Sequence, residues 1–89
     1  MKAVLTVIGR DTVGILAQVS ADCAAHNVNI EDVSQSVLQD LFCMIMLVDV
    51  SACELSLADF AEFMSEKGKA KGLAIHVMHE DIFKAMHSI

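Results

Sequence analysis

The chain has 89 residues, a formal net charge of −6 and 55% hydrophobic residues. That length fits one domain, expected over residues 1–89 with a core to about residue 79 and a short tail after it. The acidic balance repels phosphate backbones, and with no Trp or Tyr to stack on bases, nucleic-acid binding is not expected. A mean hydropathy of +0.55 is high for so small a chain. A domain this size has little interior to hide apolar surface, so part of it is expected to meet a second copy.

Cys23, Cys43 and Cys53 are odd in number, lack C-x-x-C spacing and sit in apolar company. Free thiols in such surroundings behave as small hydrophobes and suit a reducing compartment, so a cytoplasmic location is expected. Met1-Lys2 leads straight into a strand pattern of only a few residues, so no signal peptide is expected. The apolar run Leu41 to Val48 is too short to cross a bilayer, and no membrane association is expected.

Lys2 to Ile8 is β-branched and apolar, and reads as a buried strand. Gly9 to Thr12 forms a turn, and from Val13 the period changes. Ile15, Leu16, Val19 and Cys23 fall on one helical face, with Gln18, Asp22 and Ala25 facing away. His26-Asn27 ends this helix. Val28 to Gln39 is a second strand whose apolar phase slips between Ile30 and Val33, which predicts a bulge near Glu31-Asp32. Asp40 turns the chain into a third strand, Leu41 to Val50. Its apolar run lacks polar alternation and predicts burial on both faces.

Ser51 to Leu55 is a connection. Ser56-Leu57-Ala58-Asp59 has capping-box spacing and starts a second helix with Leu57, Phe60, Ala61 and Met64 on its apolar side. Lys67, Lys69 and Lys71 suit the negative end of that helix, and Gly68 or Gly72 stops it. Leu73 to Met78 is the fourth strand. Asp81 to Met86 can add a helical turn or two, with Ile82, Phe83 and Met86 as its apolar side. The order β-α-β-β-α-β predicts a ferredoxin-like α+β sandwich: an antiparallel sheet, two helices on one face and a short C-terminal helical tail.

The candidate site is the strand-to-helix turn, Gly9-Arg10-Asp11-Thr12-Val13-Gly14, together with Asn29-Ile30 at the start of the second strand. Gly14 lets a ligand or another backbone come close, and amides at a helix start favour an anionic group such as a carboxylate. Asp11 can accept from an ammonium group. The plainer reading makes Asp11 a helix cap and Gly14 a relief of crowding.

The element order, Gly9-x-Asp11-x-x-Gly14-Ile15-Leu16 and Asn29-Ile30-Glu31-Asp32 together resemble a stand-alone ACT domain, over nearly the whole chain to about Met78. The chain is also similar to the ACT units of the glycine-cleavage regulator and of formyltetrahydrofolate deformylase. The resemblance implies a regulatory domain that binds an amino acid or related metabolite, acts as a homodimer and serves a regulated enzyme or regulator. It implies that the residues at Asp11 and Asn29 hold the ligand's amino and carboxylate groups. Many such domains carry Asn at the first position and Arg-Pro before the glycine, where this chain has Asp11 and Thr12-Val13. Asp11 then favours an ammonium contact.

A helical crossover joins parallel strands, so the end of strand one and the start of strand two should lie at opposite ends of the sheet. A site using both Asp11 and Asn29 therefore needs a second subunit, each chain lending one residue.

Other chemistry has weaker support. His76 and His79 stand at i and i+3 on a strand and point to opposite sides, with His26 and His87 elsewhere, so no metal site is expected. There is no nucleophile elbow, no H-E-x-x-H and no phosphate loop; neither an enzyme nor a cofactor is expected. Met44, Met46, Met64, Met78 and Met86 are read as core filling. The alternative function is a purely structural dimerisation module without a ligand. A ferredoxin-like metal carrier would need the C-x-x-C that is missing.

Overall fold

The structure, a computed structural model, describes residues 1–86. The elements are β1 (Lys2–Arg10), α1 (Ile15–Ala25), β2 (Asn29–Leu38), β3 (Leu41–Asp49), α2 (Leu57–Lys69), β4 (Leu73–His79) and α3 (Glu80–Met86). The strands form one sheet in the order β2-β3-β1-β4, and every neighbouring pair is antiparallel. This is the expected ferredoxin-like sandwich. His87 and the end of the expected tail lie outside the described residues.

The core lies between the sheet and α1 and α2. Ala3, Leu5 and Val7 of β1 and Phe42, Met44, Met46 and Val48 of β3 meet Ile15, Val19 and Cys23 of α1 and Phe60 and Met64 of α2, all buried. Phe60, Leu5, Met44, Met46 and Met64 are the largest fully buried side chains. Truncating one of these to Ala would cost about 2–5 kcal/mol. Three of the five methionines read as core filling are in the core; Met78 is half-buried and Met86 exposed.

Several local expectations differ from what is seen. β1 runs two residues further than its apolar pattern, because Gly9 and Arg10 still pair with Phe42 and Leu41 of β3. α1 starts at Ile15 rather than Val13. On α1, Leu16 is exposed, whereas Asp22 is 7% exposed and accepts from Gln18 Nε2 at 3.2 Å. The helix is rotated so that its buried stripe runs through Asp22. The bulge appears where the phase slips, between Ile30 and Asp32. Val33 and Val37 face the helix side but lie at the sheet edge and are exposed.

β3 is not buried on both faces. Its even positions are core, whereas Leu41 and Ile45 are 40% and 46% exposed on the side away from α1 and α2. An uninterrupted apolar run gave no sign of this, because the alternation is in burial and not in residue type. α3 leaves β4 directly and packs against β1 on this second face; Val4, Ile45 and Leu47 line a cleft beside it together with Glu80, Phe83 and Lys84 of α3.

Ser56 caps α2, its Oγ accepting from Asp59 N at 3.1 Å. Gly68 does not stop that helix. It is buried inside it, where an added Cβ would stand 2.7 Å from Ile75 Cγ1. The helix ends at Lys69 with Ala70 as its cap, which leaves Lys71 beyond it. Cys23 is buried, and Cys43 and Cys53 are half-buried; all three are free.

Candidate functional site

β1 delivers the chain to the edge of the helix layer. Asp11 N donates to Asp40 O at 2.7 Å, which ties the start of the turn to the β2–β3 hairpin. Thr12 and Val13 then stand out into solvent, Val13 fully exposed despite its apolar side chain. Gly14 is the N-cap of α1 in the left-handed region, φ 88° and ψ 11°. Gln18 N donates to Gly14 O at 3.0 Å and closes the first helical turn.

Gly14 has a backbone reason to be glycine. An added Cβ there would meet nothing within 4 Å, so no neighbouring chain crowds it, and only its φ disfavours a side chain. Close approach of another backbone is therefore not its role within the subunit. The close approach belongs to Gly9, whose added Cβ would stand 2.6 Å from Leu73 Cδ2 and 3.0 Å from Gly72 O. Gly9 brings β4 and the segment before it against the end of β1.

That contact shapes a cleft of about 260 Å³ lined by Thr12, Val13, Gly14, Ile15, Gln18, Lys71 and Leu73. The first turn of α1 has neither a side-chain cap nor an acidic residue, so its leading amides lack helical partners. Asp11 does not cap the helix. Lys71, exposed, is the cationic residue of the lining, and Gln18 donates to buried Asp22. Amides at a helix start, a lysine and a short apolar wall form a small pocket suited to an anionic group on a modest molecule.

Of the residues expected at the site, Thr12, Val13 and Gly14 line the cleft, while Gly9, Arg10 and Asp11 lead into it without lining it. Asn29 is elsewhere. It pairs with Asp49, which pairs with Lys2 at the start of β1, whereas Arg10 at the other end of β1 pairs with Leu41. Asp11 and Asn29 thus lie at opposite ends of the sheet, as the helical crossover requires. Ile30 is half-buried and packs against the core. Lys71 was missed and read as a helix-end charge. The signal for it is topological: Leu73 pairs with Gly9, which puts the residues before Leu73 beside the turn after Gly9.

Among the described residues, the histidines and cysteines do not line this cleft. His76 is exposed on the face of the sheet away from the helices and His79 is half-buried on the helix side, level with Ala3; His79 Nδ1 accepts from Asp81 N at 3.0 Å. His26 pairs with Glu54 and meets the Phe63 ring edge-on at 4.3 Å. Burial, helped by Asp22, pushes the Cys23 thiol up to about 11, so it stays protonated at neutral pH.

A four-stranded antiparallel sheet in the order β2-β3-β1-β4 with α1 and α2 packed on one face defines a ferredoxin-like α+β domain. The chain belongs to the ACT domain family: the ACT domain model matches residues 2–78. It is 48% identical over 88 residues to a UPF0237 protein of Methanopyrus kandleri, covering 99% of this chain and 98% of that one. Its fold matches an ACT domain protein from Streptococcus pneumoniae with a TM-score of 0.83 and 34% identity, over 98% of both chains. A formyltetrahydrofolate deformylase from Pseudomonas putida shares the fold at a TM-score of 0.75 and 14% identity, over 88% of this chain and 28% of that one. ACT domains are in general small-molecule-binding regulatory domains.

Proposed function

We propose that the protein is a homodimeric sensor of an amino acid or closely related metabolite, bound at the β1–α1 turn, and that occupancy is passed to a regulated enzyme or regulator. It acts by binding, not by catalysis, as one unit in the cytoplasm, where its three free thiols stay reduced. The observation that carries this is the uncapped start of α1 at a cleft that Lys71 also lines.

A ligand carboxylate fits between the amides of α1 and the Lys71 ammonium, where each charge-assisted hydrogen bond adds roughly 1.5–3 kcal/mol. Asp11, at the mouth of the turn, is the group for a ligand ammonium. Asn29 is too distant in its own subunit and serves the mate's site across a two-fold axis. Such a shared site gives the ligand a reason to prefer one assembly over another, which allostery requires.

The experiment is a thermal shift with the twenty amino acids in turn. At about a hundred times the dissociation constant a specific ligand adds about 2.7 kcal/mol, enough to raise Tm by roughly 10 °C in a domain of this size. A second reading, a structural dimerisation module without a ligand, is favoured by the apolar face at Ile8, Leu41 and Ile45, each 40–46% exposed. It predicts no response to any amino acid and a Tm that rises with protein concentration.

A further inference from the structure

The face away from α1 and α2 holds a second cleft. α3 begins at Glu80 immediately after β4 ends at His79 and folds back against β1, leaving Ile45 and Leu47 of β3 at the edge of the cleft. Val4, Ile45 and Leu47 form the floor of a cleft of about 300 Å³, and Phe83, Glu80 and Lys84 complete its lining. That size is at the small end of ligand clefts, which run to about 1,000 Å³. Val4 is 5% exposed although it points away from the main core, and Ile45 keeps 46% of its surface open to solvent. The floor is therefore partly roofed and accessible from one side.

Every contact the floor can offer is to hydrocarbon. The charged groups of the lining are Glu80 and Lys84, one helical turn apart on α3, with their carboxylate and ammonium 3.6 Å apart. That separation is too long for a good hydrogen bond, so both groups keep capacity for another partner. The Glu80 side chain is 25% exposed and sits at the cleft, while Lys84 is 72% exposed and free to swing. A ligand with only a carboxylate meets Lys84 but is repelled by Glu80, and an amine meets the converse. A molecule carrying both charges on one carbon satisfies both and leaves the rim neutral. Its head stays at the wet edge, so little desolvation opposes binding, and its tail must be short and aliphatic to use the floor.

We propose that this cleft binds a small aliphatic α-amino acid, its tail on Val4, Ile45 and Leu47 and its head group between Glu80 and Lys84, at a site separate from the β1–α1 turn. The proposal does not depend on that turn holding a ligand. α3 has no buried residue of its own, so filling the cleft also fixes α3 on the sheet.

The test uses the full chain with labelled methyl groups, titrated with L-leucine to about 10 mM. The methyl signals of Val4, Ile45 and Leu47 are expected to move saturably. 4-Methylpentanoate, which lacks the ammonium, and isopentylamine, which lacks the carboxylate, should each bind about tenfold more weakly or worse. Glu80→Gln and Lys84→Gln, both surface changes on α3, should each weaken leucine by a similar factor without altering the spectrum of the core. The proposal is overturned if leucine leaves these methyls unmoved. It is also overturned if both analogues bind as well as leucine, which makes the cleft merely apolar, or if the methyls respond to protein concentration alone, which puts a second copy on the face. Shifts confined to the amides of Gly14, Ile15 and Gln18 would place leucine at the β1–α1 turn instead, supporting that site and refuting this one.

Discussion

Asp11 and Asn29 flank the same helix in sequence and stand at opposite ends of the sheet. Asn29 is level with Asp49 and Lys2, and Asp11 follows Arg10, which is level with Leu41. The eight residue steps of β1 between Lys2 and Arg10 span roughly 27 Å. No single small molecule reaches both within one subunit.

The shared-site reading therefore makes a prediction by mixing. Asp11→Ala and Asn29→Ala homodimers should each lose the amino-acid response of the parent. Co-refolded at random, half of the dimers are heterodimers with one intact site each, so calorimetry should recover about a quarter of the parent's binding stoichiometry. A mixture that remains silent while sedimentation shows heterodimers would remove Asn29 from the site.

Gly14 separates backbone strain from ligand binding. Its Cβ space is open, so Gly14→Ala should cost only the left-handed φ, about 1–2 kcal/mol by denaturant unfolding. Gly14→Val should cost somewhat more, because a β-branched residue tolerates that region least. In the sensor both changes also reorient the α1 amides and weaken the ligand beyond the stability loss. Lost stability with intact affinity would reduce Gly14 to a turn residue.

The turn between β2 and β3 offers an independent check on the backbone. Gln39 has φ 58° in the short link that precedes Asp40. Gln39→Gly should relieve that conformation and raise stability by up to about 1 kcal/mol. A loss would show that the Gln39 side chain contributes more than its φ costs.

Most of the fold was legible because its signals are local. The β2 bulge followed from a slip of apolar phase between Ile30 and Val33, and the start of α2 followed from Ser56 and Asp59. What stayed hidden depends on tertiary neighbours. Leu41, Cys43, Ile45 and Leu47 are as apolar as the core positions between them, so β3 could not announce that one of its faces is open. On α1, Ile15, Val19 and Cys23 form the buried stripe, and Asp22 falls on it at i+7 from Ile15, where its bond from Gln18 satisfies the buried carboxylate. Lys71 joined the candidate site only because β4 lies beside β1, a pairing that no residue near Lys71 encodes.

Two ionisable groups give pH-dependent predictions. Asp49 accepts from Ser51 through both the side chain and the backbone, and the N-terminal ammonium is 3.8 Å away; together these hold its carboxyl below 3.8. A lowered folded value stabilises the fold above the unfolded value, and that contribution is lost as pH falls through the folded value. Ser51→Ala should move the Asp49 titration, followed by carboxyl NMR, back toward 3.8. No movement would assign the shift to another neighbour.

Cys23, held at about 11 by burial, should resist a thiol reagent at pH 8 while half-buried Cys43 and Cys53 react. Its raised value favours the fold below the unfolded value, and the cost of ionising it falls on the fold between there and about 11. Labelling of Cys23 at the rate of the other two in native protein would contradict its place in the core.

The central claim is that a small metabolite sits at the start of α1. The most direct measurement is an amide-resolved NMR titration of the full chain with each of the twenty amino acids, repeated with Lys71→Gln. The account predicts that at least one amino acid moves the amides of Gly14, Ile15, Leu16 and Gln18 saturably, and that Lys71→Gln weakens it by about tenfold, the loss of one charge-assisted contact. Amides at α1 that stay still with all twenty, in a protein whose oligomeric state is intact, would contradict it and leave the dimerisation module as the reading.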